Sequence, residues 1–151
     1  MKASCCFAGH SNLFGKSDIL RDKLEANIQQ LITENNVEEF YSGNMGDFDK
    51  LAESVVRSLK CRFKHIKLYK VIPYRTKEIE RDREYYNLHF DNIIFPELDN
   101  PYYKSAITKR NQWMVDYCDY LICFVDKNHG GAFNTLKYAK KALNIKIINL
   151  A

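Results

Sequence analysis

The chain has little of what would place it outside the ordinary globular class. Only 6 of its 151 residues are glycine and 3 are proline, so it has no material for a collagen-like repeat or a flexible linker. No apolar run approaches the ~20 residues that a membrane-crossing helix needs. The start, MKASCCFAGHS, lacks the apolar core and small-residue cleavage site of a secretory signal, which makes the cytoplasm the expected compartment. The 5 cysteines (Cys5, Cys6, Cys61, Cys118 and Cys123) are odd in number and form no C-x-x-C pair. That pattern argues against a disulfide framework and against a zinc site, so no metal is expected, and most of these thiols lie in apolar runs as small hydrophobes. Charge of one sign is also scarce. Lys plus Arg number 23 against 19 Asp plus Glu, a net +4 too slight to mark a nucleic-acid footprint, so charge argues against a nucleic-acid partner. The densest basic stretch, KCRFKHIKLYK at 60–70, reads as a solvated helix end followed by a half-exposed strand.

What is present is a regular alternation. Short apolar runs alternate with longer segments of helical period, the pattern of an α/β protein with a Rossmann-like, open, mainly parallel sheet and helices on both faces. The length suits a single domain over 1–151, able to remove ~70% of its unfolded surface from water. About five core strands are expected: CCFAG, EEFYSG, IKLYKVIP stopped by Pro73, DYLICFVD and IKIINLA. The helix SDILRDKLEANIQQLITE puts Ile19, Leu20, Leu24, Ile28, Leu31 and Ile32 on one face, with Ser17 as its N-cap. In DFDKLAESVVRSLK the inward face is Leu51, Ala52, Val55, Val56 and Leu59, and Asp47 and Asp49 favour its positive end. The middle, from 74 to 103, carries a charged helical stretch and then FDNIIFPE, and reads as an elaboration on the sheet. SAITKRNQWMVDYC and GAFNTLKYAKKAL are the remaining helices.

In such sheets ligands settle outside the strands' carboxyl ends, where the strand order reverses. The loops to inspect are GHSN (Gly9, His10, Ser11, Asn12), SGNMGDFD (with Gly43, Asn44, Gly46) and DKNHGGAFNT (with Gly130, Gly131, Asn134, Thr135). Glycines between strand and helix let bare amides approach an anion at a helix N-terminus. One helix end contributes roughly 0.3 to 2 kcal/mol, whereas micromolar binding needs about 8 kcal/mol, so several loops and a cation must converge. Arg110, read as opening the helix before the hydrophobic strand, is the cation whose fork suits phosphate oxygens.

Taken together, CCFAGH, FYSGNMGDFDKLA, FDNIIFPE and KRNQWMVDYCDYLICFVDKNHGGAFNTLKYAKK resemble the SLOG superfamily, the Rossmann-like group named for its SMF (DprA) and Lonely Guy branches. Within it the chain looks closest to small bacterial proteins that open with C-F-x-G-H-R. The resemblance implies a bound nucleotide or nucleotide-derived group, such as a nucleoside monophosphate, NAD or an ADP-ribose-like molecule, and implies no other cofactor. Carried over by position, it marks Gly9 and His10, Gly43 and Gly46, Arg110, and Gly130, Gly131 and Thr135.

Two departures stand out. Ser11 replaces the Arg that commonly follows Gly-His, removing one phosphate partner. Lonely Guy enzymes, which hydrolyse the N-glycosidic bond of cytokinin nucleotides, carry P-G-G-x-G-T-x-x-E, whereas this chain reads HGGAFNTLKY, with Lys137 and Tyr138 where the carboxylate falls. Cleavage through an oxocarbenium-like state relies on such a carboxylate. A binding module acting as sensor or carrier is therefore the leading expectation. An N-glycosidase or phosphoribohydrolase with a relocated acid (Asp49, Asp126 or Glu53, beside Arg110) is the alternative. Single-stranded nucleic-acid binding, suggested by 10 tyrosines among Lys and Arg, is the third. SLOG relatives often pair, so a homo-oligomer is compatible, with Trp113, Met114 and Tyr117 as its surface or, alternatively, packed on the chain's own sheet.

Overall fold

The computed structural model describes residues 2–43, 46–98 and 105–151. Along the chain run β1 (Ala3–Gly9), α1 (Ser17–Glu34), β2 (Val37–Ser42), α2 (Asp47–Leu59), β3 (Lys67–Val71), α3 (Lys77–Arg81), α4 (Arg83–His89), β4 (Asn92–Ile94), α5 (Ala106–Tyr117), β5 (Tyr120–Phe124), α6 (Gly131–Lys141) and β6 (Lys146–Asn149). The strands form one sheet in the order β4-β3-β2-β1-β5-β6. Every pairing is parallel. This is the Rossmann-like α/β fold that the alternating pattern predicts.

Alternation along each central strand feeds two cores. Cys5 and Phe7 of β1 and Ile122 of β5 join Leu24, Ile28 and Val56 beneath α1 and α2. Cys6 and Ala8 of β1 and Leu121 and Cys123 of β5 join Met114, Leu136 and Ala139 beneath α5 and α6. A parallel strand covered on both faces must be apolar throughout, which is why CCFAG and DYLICFVD show no polar alternation.

Several expectations need correction. Ile19 is 66% exposed, because it lies one residue off the stripe set by Leu20, Leu24 and Ile28. Ser17 does not cap α1: it is the first helical residue, preceded by Lys16, and no side chain caps that end. To the five expected core strands FDNIIFPE adds the short edge strand β4, making six among the described residues. Of the cysteines, Cys61 is exposed in the turn after α2, while the other four are buried. Met114 is buried in the core, so it is no part of an exposed pairing surface. Trp113 stacks on the half-exposed Tyr117 at 4.9 Å and 11°.

Among the described residues no helix is long and apolar enough to cross a membrane.

Candidate functional site

The strand order reverses at β1, whose neighbours are β2 on one side and β5 on the other. The chain leaves β1 toward α1 and leaves β5 toward α6, on opposite faces, so the two loops part and open a cleft beyond Gly9 and Phe124, which are paired in register. This cleft encloses about 370 Å³. Gly9, His10, Ser11, Gly130, Gly131 and Thr135 line it, all of them singled out in the sequence. Asp49 lines it from α2, and it is the one carboxylate among the described lining residues.

The glycines divide into two kinds. At Gly9 a Cβ would stand 2.1 Å from the ring of Phe48, so this glycine exists to let α2 pack over the end of β1. Gly46 holds φ 98°, and a Cβ there would meet the Cα of Ser11 at 2.5 Å. The second loop therefore seats on the first, and the Asp47 N–H donates to the Ser11 carbonyl at 2.9 Å. Gly130 takes a similar backbone shape, φ 97° and ψ 174°, a region nearly closed to residues with a Cβ. Around Gly130 and Gly131, however, an added Cβ would meet nothing within 4 Å. They face open cleft.

That openness matters because α6 begins there. No side chain caps it and no acid stands in its first turn, so its leading amides are unspent and its positive end is not offset. The first intrahelical bond is from the Asn134 N–H to the Gly130 carbonyl at 3.0 Å, which leaves Asn134 itself as an exposed helical residue away from the cleft lining. Thr135 is buried and its hydroxyl donates back to the Gly131 carbonyl at 2.9 Å.

Arg110 and Gly43 stand elsewhere. Arg110 lies within α5 rather than at its start, and is 1% exposed. Its Nη1 donates to the carbonyls of Gly43 at 3.1 Å and Val71 at 3.0 Å, and its Nε donates to Asn111 Oδ1 at 2.8 Å. The guanidinium thus ties together the carboxyl ends of β2 and β3, and Gly43 is small because a Cβ there would come within 2.7 Å of Cζ. Both residues line a second hollow of about 280 Å³, walled by Ile72, Pro73, Tyr74 and Tyr86. Ile107 is the one residue that borders both hollows among those described. Asn44 lies outside the described residues.

Charge is concentrated beneath this region. Ser42, Asp49, Glu53, Lys70 and Arg110 are all buried. The Ser42 hydroxyl donates to Glu53 Oε2 at 2.5 Å. Burial raises the Glu53 carboxyl above its ordinary range, and the Ser42 hydroxyl and the Lys70 ammonium draw it back. Burial likewise lowers Lys70 to about 8, against the pull of Glu53. For Arg110 burial lowers the value and Asp49 opposes it. With opposite charges interleaved, this cluster is a structural network under the strand ends, which gives Glu53 a place in the core rather than in the cleft.

Asp126 is exposed and turned toward α1. Its carboxylate pairs with Lys16 at 3.1 Å and stands in a separate groove with Ile19 and Leu150. The Lys16 hydrogen bond holds its carboxyl below the usual range. At the position of the missing acid, the Tyr138 hydroxyl donates to both oxygens of Asp116 at 2.9 and 2.8 Å, and Lys137 is exposed. Neither residue lines the cleft.

The lining also includes Asn12, which the first loop already named, and Phe14, Ile107, Asn111, Lys127 and His129, none of which was singled out from the sequence. Lys127 and His129 sit inside the loop already marked, DKNHGG. Ile107 and Asn111 are spaced i, i+4 on α5, so one helix face meets the cleft, a relation visible only once α5 is docked on β1.

A model of the YspA SLOG family matches residues 11–149. The uncharacterized SPbeta prophage-derived protein YoqJ of Bacillus subtilis (strain 168) is 29% identical, with 81% of each chain covered. Among solved structures, DNA processing protein A (DprA) of Streptococcus pneumoniae superposes with a TM-score of 0.66 at 18% identity, over 98% of this chain and 50% of its own. This chain therefore spans about half the length of that protein. DprA of Helicobacter pylori, whose structure is described for its single-stranded DNA binding mode, gives 0.59 at 12% identity over 92% of this chain and 61% of its own. The two superpositions show that the fold is shared, and the family match runs over residues 11–149, taking in the cleft from Ser11 onward: the chain belongs to the YspA SLOG family.

Proposed function

We propose that the β1/β5 cleft binds the phosphate of a nucleotide or nucleotide-derived ligand, with the protein acting as a sensor or carrier. The observation that carries this reading is the uncapped start of α6, where Gly130 and Gly131 border open cleft at the point of strand reversal. Family membership supports it. The structural network under β2 and β3 explains why Arg110 is present without assigning it to phosphate, so the lysine in the described cleft wall is Lys127. Calorimetry with AMP, NAD, ADP-ribose and cyclic nucleotides tests the reading. At least one is expected to bind, and Gly131→Val is expected to weaken that binding about tenfold by covering the amides, which corresponds to about 1.4 kcal/mol. Unfolding should barely move, since a Cβ at this position meets nothing within 4 Å. Absence of heat from all four ligand types up to millimolar concentrations would end this reading.

Two other readings keep a specific support. Asp49 is a buried carboxylate in the cleft wall, the relocated acid that an N-glycosidase requires. Release of free base from nucleoside monophosphates, abolished by Asp49→Asn, would establish turnover, and no release would retire it. Nucleic acid also returns as a partner, because the charge argument against it is outweighed by the fold shared with two DprA proteins. Fluorescence anisotropy of a labelled single strand should then show binding that weakens as salt rises.

A further inference from the structure

His10 is fixed through one ring nitrogen and open through the other. Its side chain is only 10% exposed, and the ring stands edge-on to Phe124 with centroids 5.9 Å apart. Nε2 lies 3.1 Å from the main-chain nitrogen of Asp126 and 3.1 Å from Oδ1 of the same residue. One nitrogen cannot accept from the first and donate to the second. The N–H direction is fixed by the backbone and meets Nε2 with hydrogen-bond geometry. The carboxylate sits on a partly exposed side chain that already pairs with Lys16 at 3.1 Å. Nε2 is therefore the acceptor, and the ring proton resides on Nδ1.

Nδ1 has no protein partner among the described residues. It is not sealed among buried unsatisfied atoms. Since the ring lines the cleft while Nε2 is turned to Asp126 in the neighbouring groove, the Nδ1 edge is the one presented to a ligand.

We infer that His10 donates a hydrogen bond from Nδ1 to an anionic oxygen of the ligand, its tautomer set by the main chain of Asp126 rather than by the Asp126 carboxylate. The class of ligand this selects is a phosphomonoester, because the amides of α6 across the cleft are donors too, and an oxygen-rich anion offers acceptors to both walls at once. Asp126 is a positioning residue that acts through His10. The inference rests on the phosphate reading of the cleft and assigns the polarity of its β1 wall.

The test is calorimetry with ribose 5-phosphate against ribose, on the whole chain and three variants, each checked by thermal unfolding. His10→Gln keeps an amide near the Nε2 position and removes the Nδ1 donor. A hydrogen bond to a charged oxygen is stronger than one between neutral groups, so ribose 5-phosphate is expected to bind roughly tenfold or more weakly to this variant. Asp126→Ala keeps the main-chain N–H and is expected within about threefold of the natural chain, a margin under 1 kcal/mol; His10→Asn keeps an N–H near the Nδ1 position but loses the Nε2 acceptor, and is expected to bind between the natural chain and His10→Gln. Asp126 is exposed, so its variant decides the matter should a His10 variant unfold. Equal affinity of His10→Gln and the natural chain would overturn the inference, as would Asp126→Ala binding as weakly as His10→Gln or ribose binding as tightly as its phosphate. If the natural chain binds neither ribose 5-phosphate nor AMP, the phosphate reading itself fails.

Discussion

Arg110→Ala is expected to lower the unfolding free energy by about 3 kcal/mol, the larger of two effects that the strand ends should show. The guanidinium is 1% exposed and is the side-chain donor shared by the carbonyls of Gly43 and Val71. Truncation strips both carbonyls of that donor, opens a cavity under Gly43, and leaves Asp49 without the cation whose field it feels. Its Nη2 has no hydrogen-bond partner among the described residues, so losing that nitrogen offsets part of the cost. Urea titration reads the difference directly, and for a chain of this size the melting temperature should fall by roughly 2 to 4 °C per kcal/mol. Arg110→Lys, which can reach one carbonyl but lacks the fork, should fall between the two. A displacement under ~1 kcal/mol would show that the tie between β2 and β3 is replaceable. The consequence for function is that loss of ligand binding in Arg110→Ala must be read against folding before it is read as loss of a phosphate contact.

Gly9→Ala should also destabilise, by about 2 kcal/mol. A methyl group at this position would lie 2.1 Å from Cγ of Phe48, a side chain with no exposed surface that stacks on Phe124 at 6.5 Å. Either β1 bends away from α2 or the ring leaves its place, and both disturb the base of the cleft. A double-mutant cycle separates this clash from a general preference for glycine: Gly9→Ala combined with Phe48→Ala should cost less than the sum of the single changes. Strict additivity would mean that the ring and the glycine are not coupled.

Gly9 also shows what the sequence can and cannot tell. A glycine after a first strand in a Rossmann-like pattern invites a phosphate explanation, yet here the nearer cause is an aromatic residue 39 positions later. The layers were legible because burial on both faces demands continuous apolar strands and one-sided helices. The inward faces of α1 and α2 follow from spacing alone, apart from Ile19 at a helix start where the stripe has not yet begun. Edge strand β4 was harder, since an edge needs neither full apolarity nor length, and NII offers three residues of either kind.

The site was legible in part for a related reason. Strand-to-helix loops carry a local signal, and the first and last of them do meet at one cleft. Which cation serves that cleft is a question of docking, not of pattern. Arg110 looks in sequence like a phosphate-seeking residue one helix before the hydrophobic strand, but α5 turns it inward onto the carbonyls of its own sheet. Asp126 stands two residues past β5 beside the glycine loop, yet its side chain leaves on the α1 side to meet Lys16. The alternation of faces along a strand end decides such cases, and one residue of shift reverses the answer. His10 was visible as a loop histidine, while the polarity of its ring depends on a backbone N–H from a residue far along the chain.

The central claim is that the start of α6 and the loop after β1 together hold one phosphate. Its most direct measurement is a titration of isotope-labelled protein with ribose 5-phosphate, following backbone amide shifts by NMR. Saturable shifts at Gly130, Gly131 and Ala132 together with His10 and Ser11, and little change at Gly43 and Val71, are the result expected. Shifts centred instead on Gly43, Tyr74 and Arg110, with the α6 amides silent, would contradict it and move the ligand to the other hollow.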